Sequence, residues 1–187
     1  MTTIPIEVSA RHIHLTAADW RTLFGGGGPT VARPISQVPQ FVASERVTLQ
    51  GPKGVIERVA IVGPFRDYTQ VELAQTDALR LGVAAPLAES GHLEQAAPID
   101  IIGPRGRMTR SAAILQQRHI HAGPAEAAAH GLHPDDLVTV TVSGPRGGQM
   151  HQVLVRVDPS FQWQLHVDTD EANAFGIGPN TLGQITP

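Results

Sequence analysis

Short β-branched runs with partial alternation recur along the chain: Arg46–Gln50, Val55–Val62, Ile99–Ile102, Leu137–Val142 and Gln152–Val157. Residues two apart in such a run share a face, so these segments predict short strands. Three tetrapeptides of one kind border them, Gly51-Pro52-Lys53-Gly54, Gly103-Pro104-Arg105-Gly106 and Gly144-Pro145-Arg146-Gly147. Proline presets φ and glycine reaches positive φ, so each is a turn signal and three hairpins are predicted. Brief Ala-rich helices lie between the strands. They share a pattern of an acidic residue, Ala, three variable positions, Gly and an aliphatic: Asp77 to Val83, Glu126 to Leu132 and Glu171 to Ile177. Two turns of helix ended by a glycine explain it, with the acid at the favourable end of the dipole. An earlier helix starts at Thr16-Ala17-Ala18-Asp19, which resembles a capping box, and carries Trp20, Leu23 and Phe24 before Gly25 stops it. Gly25 to Gly28 with Pro29 then reads as a mobile loop, a linker or lid that lacks the Lys-Ser/Thr of a nucleotide-binding P-loop.

A larger repeat underlies these pieces. Arg11-His12-Ile13-His14 recurs as Arg118-His119-Ile120-His121, each copy followed by a helix ending in Gly. The reading is a mainly β fold of two small β-barrels or strongly curved sheets, capped by short α-helices and related by an internal repeat. The chain need not divide into consecutive halves, because the first strand, Ile4 to Ser9, can pair with strands made after residue 117.

Composition narrows the chemistry. The 187 residues include 9 His and no Cys, which excludes disulfides, sulfur-ligated zinc and a cysteine nucleophile. A net charge of −3, with Lys and Arg scattered, argues against nucleic acid as a partner. No apolar run reaches membrane-span length and the first residues do not form a signal peptide, so an intracellular protein without membrane association is expected. No Gly-x-Ser-x-Gly nucleophile elbow is present.

The histidines carry the remaining signal. In a strand His12 and His14 point to one side, as do His119 and His121, while Ile13 and Ile120 point to the other. Two copies in one setting favour metal binding over a polar strand edge, with Zn²⁺ or a similar borderline ion suiting neutral imidazole. Glu72, a lone carboxylate in Tyr68-Thr69-Gln70-Val71-Glu72, is the best third ligand; a solvent-facing residue on a half-exposed strand fits its spacing equally well. Arg66 shares a side with Glu72 if the strand is straight and can hold a phosphate, or it pairs with Asp67 at the surface. His166 can complete the second set or be an ordinary hydrogen-bonded residue. Asp168 reads as a helix cap, and His92, His130, His133 and His151 as structural or surface residues.

Taken together, Val8 to Leu15, Gly51 to Glu57, Gly63-Pro64-Phe65-Arg66 with Thr69 to Glu72, Glu89-Ser90-Gly91, Arg118 to His121, and Val155-Arg156-Val157 with His166 to Asn173 resemble the phosphate propanoyltransferases, phosphotransacylases of the propanediol-utilisation type. The resemblance implies two β-barrel domains, residues 1–10 with 117–187 and residues 11–116, and an active site with two zinc ions between them. It implies His12, His14 and Glu72 as ligands of one ion and His119, His121 and His166 as ligands of the other, Arg66 as the phosphate-binding residue and Ser90 beside the active site. The family commonly has a basic residue before the acidic-Ser-Gly motif, where this chain has Ala88; no CoA-binding residue is assigned.

The implied reaction joins a short acyl-CoA, propanoyl-CoA or acetyl-CoA, and inorganic phosphate to give acyl phosphate and CoA. Phosphate bound by zinc and Arg66 attacks the thioester directly, with a metal stabilising the oxyanion. Two rival readings are a metal-dependent hydrolase of a thioester or amide, and a non-enzymatic module stabilised by zinc. The family's microcompartment members carry an N-terminal extension, whereas here a strand begins by Ile4, so a cytoplasmic enzyme is expected. Homo-oligomerisation, and microcompartment association were an extension trimmed, stay open.

Overall fold

A computed structural model describes residues 2–186. The chain opens on β1 (Thr2–Val8) and β2 (His12–His14), then α1 (Ala17–Phe24), β3 (Val31–Pro34), β4 (Phe41–Gln50), β5 (Val55–Gly63) and β6 (Gln70–Leu73). There follow α2 (Gln75–Leu81), β7 (Leu87–Ala88), β8 (Ala97–Ile102), β9 (Arg107–Gln116) and β10 (His119–Ala122). The last third holds α3 (Pro124–Ala129), β11 (Leu137–Val142), β12 (Gly148–Val157), β13 (Gln164–Val167), α4 (Thr169–Phe175) and β14 (Leu182–Thr186). Two compact units result, one from Ala10 to Gln116, the other from the residues up to Ser9 with those from Gln117 onward.

In the central unit the pairing β4-β5-β2-β6-β9-β8 returns to β4 and closes a six-stranded barrel, with β3 added on β4 and β7 on β9. In the other unit β1-β13-β10-β12-β11-β14 closes a second six-stranded barrel. The expected mainly β architecture of two small barrels with short helices is the observed one. Each ring contains a His-Ile-His strand paired parallel on one side, β2 with β5 and β10 with β12, and antiparallel on the other, β2 with β6 and β10 with β13. Both β5 and β12 carry a non-glycine residue at positive φ, Arg58 at 58° and Gln152 at 57°, opposite a register shift in the neighbouring strand. Such bulges increase local twist, which a six-stranded ring needs in order to close.

Each barrel has its own core. Ile13, Leu49, Val71, Leu73, Ile101 and Ala113 fill the first, and Ile4, Ile120, Val140, Val153, Val155 and Leu165 the second. Full burial of an aliphatic side chain of this size is worth roughly 1.5–3 kcal/mol. None of the described helices is long and apolar enough to cross a membrane.

All three Gly-Pro-Lys/Arg-Gly segments are hairpin turns, joining β4 to β5, β8 to β9 and β11 to β12. They do more than reverse the chain. Lys53 N–H donates to Leu81 O at the end of α2 (3.0 Å), Arg105 N–H to Leu23 O near the end of α1 (2.9 Å), and Arg146 Nε to Ala174 O near the end of α4 (3.3 Å). A basic turn residue thus meets carbonyls that the helix itself cannot satisfy. Close approach requires glycine here: a Cβ on Gly51 would lie 2.3 Å from Leu81 O. The helical pattern also holds. Val83, Leu132 and Ile177 donate N–H to Ala78, Ala127 and Ala172 beyond glycines at φ 75°, 65° and 63°, the Schellman arrangement.

The capping box expected at Thr16 is only half made. Thr16 Oγ1 accepts from Asp19 N–H, but the Asp19 carboxylate is held by Arg110 through Nη2 (2.6 Å) and Nε (3.2 Å) and by the Thr69 hydroxyl (2.6 Å). A tertiary partner has won over the local one, which ties α1 to β9 and to the residue before β6. Asp168, by contrast, caps α4 in a full box with Glu171.

Candidate active site

The antiparallel register of β2 and β6 sets His12 opposite Glu72 and His14 opposite Gln70. With a two-residue period all four side chains share one face, while Ile13 goes into the core with no exposure. His12 Nε2 lies 3.1 Å from His14 Nε2, and Glu72 oxygens lie 3.6 Å from the first and 3.9 Å from the second. All three residues are buried, which removes the solvent-facing alternative for Glu72.

The other ring nitrogens decide what the close Nε2 pair is. His12 Nδ1 bonds to Ala10 O (2.9 Å) and His14 Nδ1 to Val62 O (3.0 Å). A carbonyl only accepts, so both Nδ1 atoms carry a proton, which leaves Nε2 of each ring as the atom that can offer a lone pair. Burial first, then the Coulombic effects of the neighbouring His12 ring and of the Arg66 guanidinium, hold the His14 imidazole well below its ordinary pKa against the opposing effects of Glu72 and Val62 O. Two lone pairs converging beside a carboxylate repel one another unless a cation lies among them. Tetrahedral ligands about 2.0–2.1 Å from zinc sit about 3.3 Å apart, close to the separations found here. His12, His14 and Glu72 could therefore hold a metal ion; among the described residues they are the one group whose three ligand atoms lie within 4.8 Å of one another.

A hydrogen-bonded chain runs from this cluster to Arg66. Gln70 Nε2 donates to Glu72 Oε1 (2.6 Å) and Ser90 Oγ (2.7 Å), Gly91 N–H donates to Gln70 Oε1 (2.8 Å), and Arg66 Nη1 donates to Ser90 Oγ (3.1 Å) and Tyr68 OH (3.3 Å). Arg66 thus turns to Ser90 and Tyr68 instead of to Asp67. Gln70 is fully buried at the centre of this chain and was not singled out from the sequence. The signal was available: it lies two residues before Glu72 and so on the same face.

The second histidine set is gathered in the other barrel. His119 Nδ1 bonds to Gln117 O (2.8 Å), and its Nε2 lies 3.0 Å from His121 Nε2. His166 is the cross-strand partner of His119; their rings stack with centroids 5.3 Å apart, and the His166 ring is 4.5 Å from that of His121. All three are buried. The three rings come together, with His166 lying parallel to His119 and His121 also stacking on Phe161 at 3.8 Å. The remaining histidines sit apart: His92 and His133 are exposed beside Glu89 and Asp136, His130 stands against Trp163, and His151 meets Thr139.

A family model described as Phosphate propanoyltransferase matches residues 5–178. Curated proteins named phosphate propanoyltransferase are similar over almost the whole chain. That of Thermotoga maritima is 47% identical over 182 residues, covering 96% of this chain and 87% of its own. That of Rhodobacter capsulatus is 42% identical over 184 residues, covering 97% and 86%, and that of Salmonella typhimurium 42% over 175 residues, covering 92% and 83%. With motif, fold and full-length similarity in agreement, the chain is a transferase that belongs to the phosphate propanoyltransferase family.

Proposed function

We propose that this transferase interconverts a short-chain acyl-CoA, propanoyl-CoA or acetyl-CoA, and inorganic phosphate with the acyl phosphate and free CoA. The observation that carries the reading is the chain Arg66–Ser90–Gln70–Glu72, which links an anion-binding guanidinium to a pair of converging imidazole lone pairs. The names of the relatives point the same way. His12, His14 and Glu72 would hold one zinc ion, and His119, His121 and His166 a second. Zinc bound there would supply Lewis-acid stabilisation of negative charge on oxygen or sulfur.

The protein's own groups do the rest. Arg66 presents a planar fork of donors that binds and orients phosphate oxygens. A phosphate oxygen attacks the thioester carbonyl carbon, the C–S bond of the resulting tetrahedral adduct breaks, and the CoA thiolate leaves. No protein nucleophile is required, which agrees with a chain that has no cysteine. Holding the reactants in one orientation supplies much of the acceleration.

The test is thiol release by zinc-loaded protein from propanoyl-CoA and acetyl-CoA, with and without phosphate. Release that requires phosphate and yields acyl phosphate is expected. Equal release without phosphate would make the protein a hydrolase. In Arg66→Ala the loss of a charge-assisted contact worth about 1.5–3 kcal/mol should raise the KM for phosphate roughly 10- to 100-fold.

A further inference from the structure

The buried amide of Gln70 has a determined orientation. Gly91 N–H donates to one end, so that end is the oxygen; Glu72 accepts from the other end, so that end is the nitrogen. Both protons of Nε2 are then committed, one to Glu72 and one to Ser90. Ser90 Oγ receives two donors, Gln70 Nε2 at 2.7 Å and Arg66 Nη1 at 3.1 Å. A hydroxyl has two lone pairs and one proton. With both lone pairs occupied, donation is the capacity left to Ser90.

The geometry points to Gln70 as a positioning residue that fixes Ser90 as a hydrogen-bond donor to the phosphate held by Arg66 and holds the Glu72 carboxylate in its ligating orientation. This rests on the reading of Arg66 and Glu72 given above. One amide thereby couples the anion-binding end of the site to its cation-binding end. Without Gln70, Ser90 can rotate and accept from solvent, and Glu72 loses the partner that sets its plane. The segment carrying Ser90 also loses its tie to β6, since Gly91 N–H then lacks the Gln70 carbonyl.

The test combines kinetics with metal binding. Gln70→Ala, Ser90→Ala and the double variant are compared with the parent for KM of phosphate, KM of propanoyl-CoA and kcat. Zinc affinity is measured by competition with a chromophoric chelator in a His121→Ala background, so that the second histidine cluster does not report. Loss of a partner that orients a ligand should weaken zinc binding by about 10- to 100-fold in Gln70→Ala. The KM for phosphate should rise about tenfold or more while that for propanoyl-CoA changes by less than about twofold. The double variant should match Gln70→Ala within about twofold in the KM for phosphate, because both changes remove one donor. Unchanged zinc affinity and phosphate KM in Gln70→Ala, or fully additive effects in the double variant, would overturn the assignment. Gln70→Met, which fills similar space and donates nothing, replaces Gln70→Ala if the latter does not fold. Unchanged zinc affinity in Glu72→Ala would instead defeat the metal reading itself.

Discussion

Zinc should stabilise the central unit by an amount that Glu72 controls. The unit spans Ala10 to Gln116, and it sets two imidazole Nε2 atoms 3.1 Å apart beside a buried carboxylate. Free zinc at 100 times its dissociation constant adds about 2.7 kcal/mol to the folded state. For a unit of this size each kcal/mol moves the melting midpoint by about 4–8 °C, so zinc should raise it by about 10–20 °C. Apparent zinc binding energies of about 10–16 kcal/mol spread over four ligands give about 3 kcal/mol each, or about 100-fold in affinity. Glu72→Ala at the same zinc concentration then sits near its dissociation constant, where stabilisation is about 0.4 kcal/mol and the shift about 2–3 °C. Scanning calorimetry of chelator-stripped parent and variant, each with and without zinc, reads the difference. His121→Ala serves as the control, since it leaves the first cluster intact. A zinc-induced shift in Glu72→Ala equal to that of the parent would refute the reasoning.

Three further outcomes are expected. Ile13→Ala, at a position with no exposure between the two histidines, should cost about 2–5 kcal/mol in urea unfolding. Burial tends to raise the Asp19 carboxyl, but hydrogen bonds from Arg110 and Thr69 and the guanidinium charge outweigh it and lower the pKa. The stability this supplies is complete above the unfolded value of about 3.9 and is lost as pH falls through the folded one, so Arg110→Ala should differ from the parent more at neutral pH than at pH ~3 in urea midpoint. Gly51→Ala places a Cβ against Leu81 O and should cost about 1–3 kcal/mol by thermal unfolding.

Local features were the ones legible in the sequence. The Gly-Pro-Lys/Arg-Gly turns are written in residues with special φ, and the alanine-to-glycine helices end where the glycine stands. His-x-His legibility follows from the period of a strand. Hidden features depended on the tertiary context. Strand β4 begins at Phe41 instead of Arg46, because the register shift between Val42 and Arg46 breaks the alternation by which a strand is recognised. Strand β3 pairs at an edge with all four residues exposed and so leaves no hydrophobic pattern. The two-residue period puts Gln70 on the face of Glu72, but its role stays hidden until its partners from the Ser90 segment are in place. Asp19 reads as a local cap, because Arg110, its stronger partner, is 91 positions away.

The place of β1 has a consequence for how the protein comes off the ribosome. Strand β1 pairs with β13 through Ile6 and Leu165 and with β14, so the second barrel cannot close until the last strand has been made. The central unit is contiguous and can be complete once Gln116 has emerged. At roughly 5–20 residues per second the 70 residues from 117 to 186 take about 4–14 s more. Through that interval β1 waits with Ile4 and Ile6, both core residues of the finished barrel, still uncovered. An incomplete chain released then would carry one finished barrel and an open strand free to pair with other chains, so slowed elongation past Gln116 should favour aggregation even though the central unit is already folded.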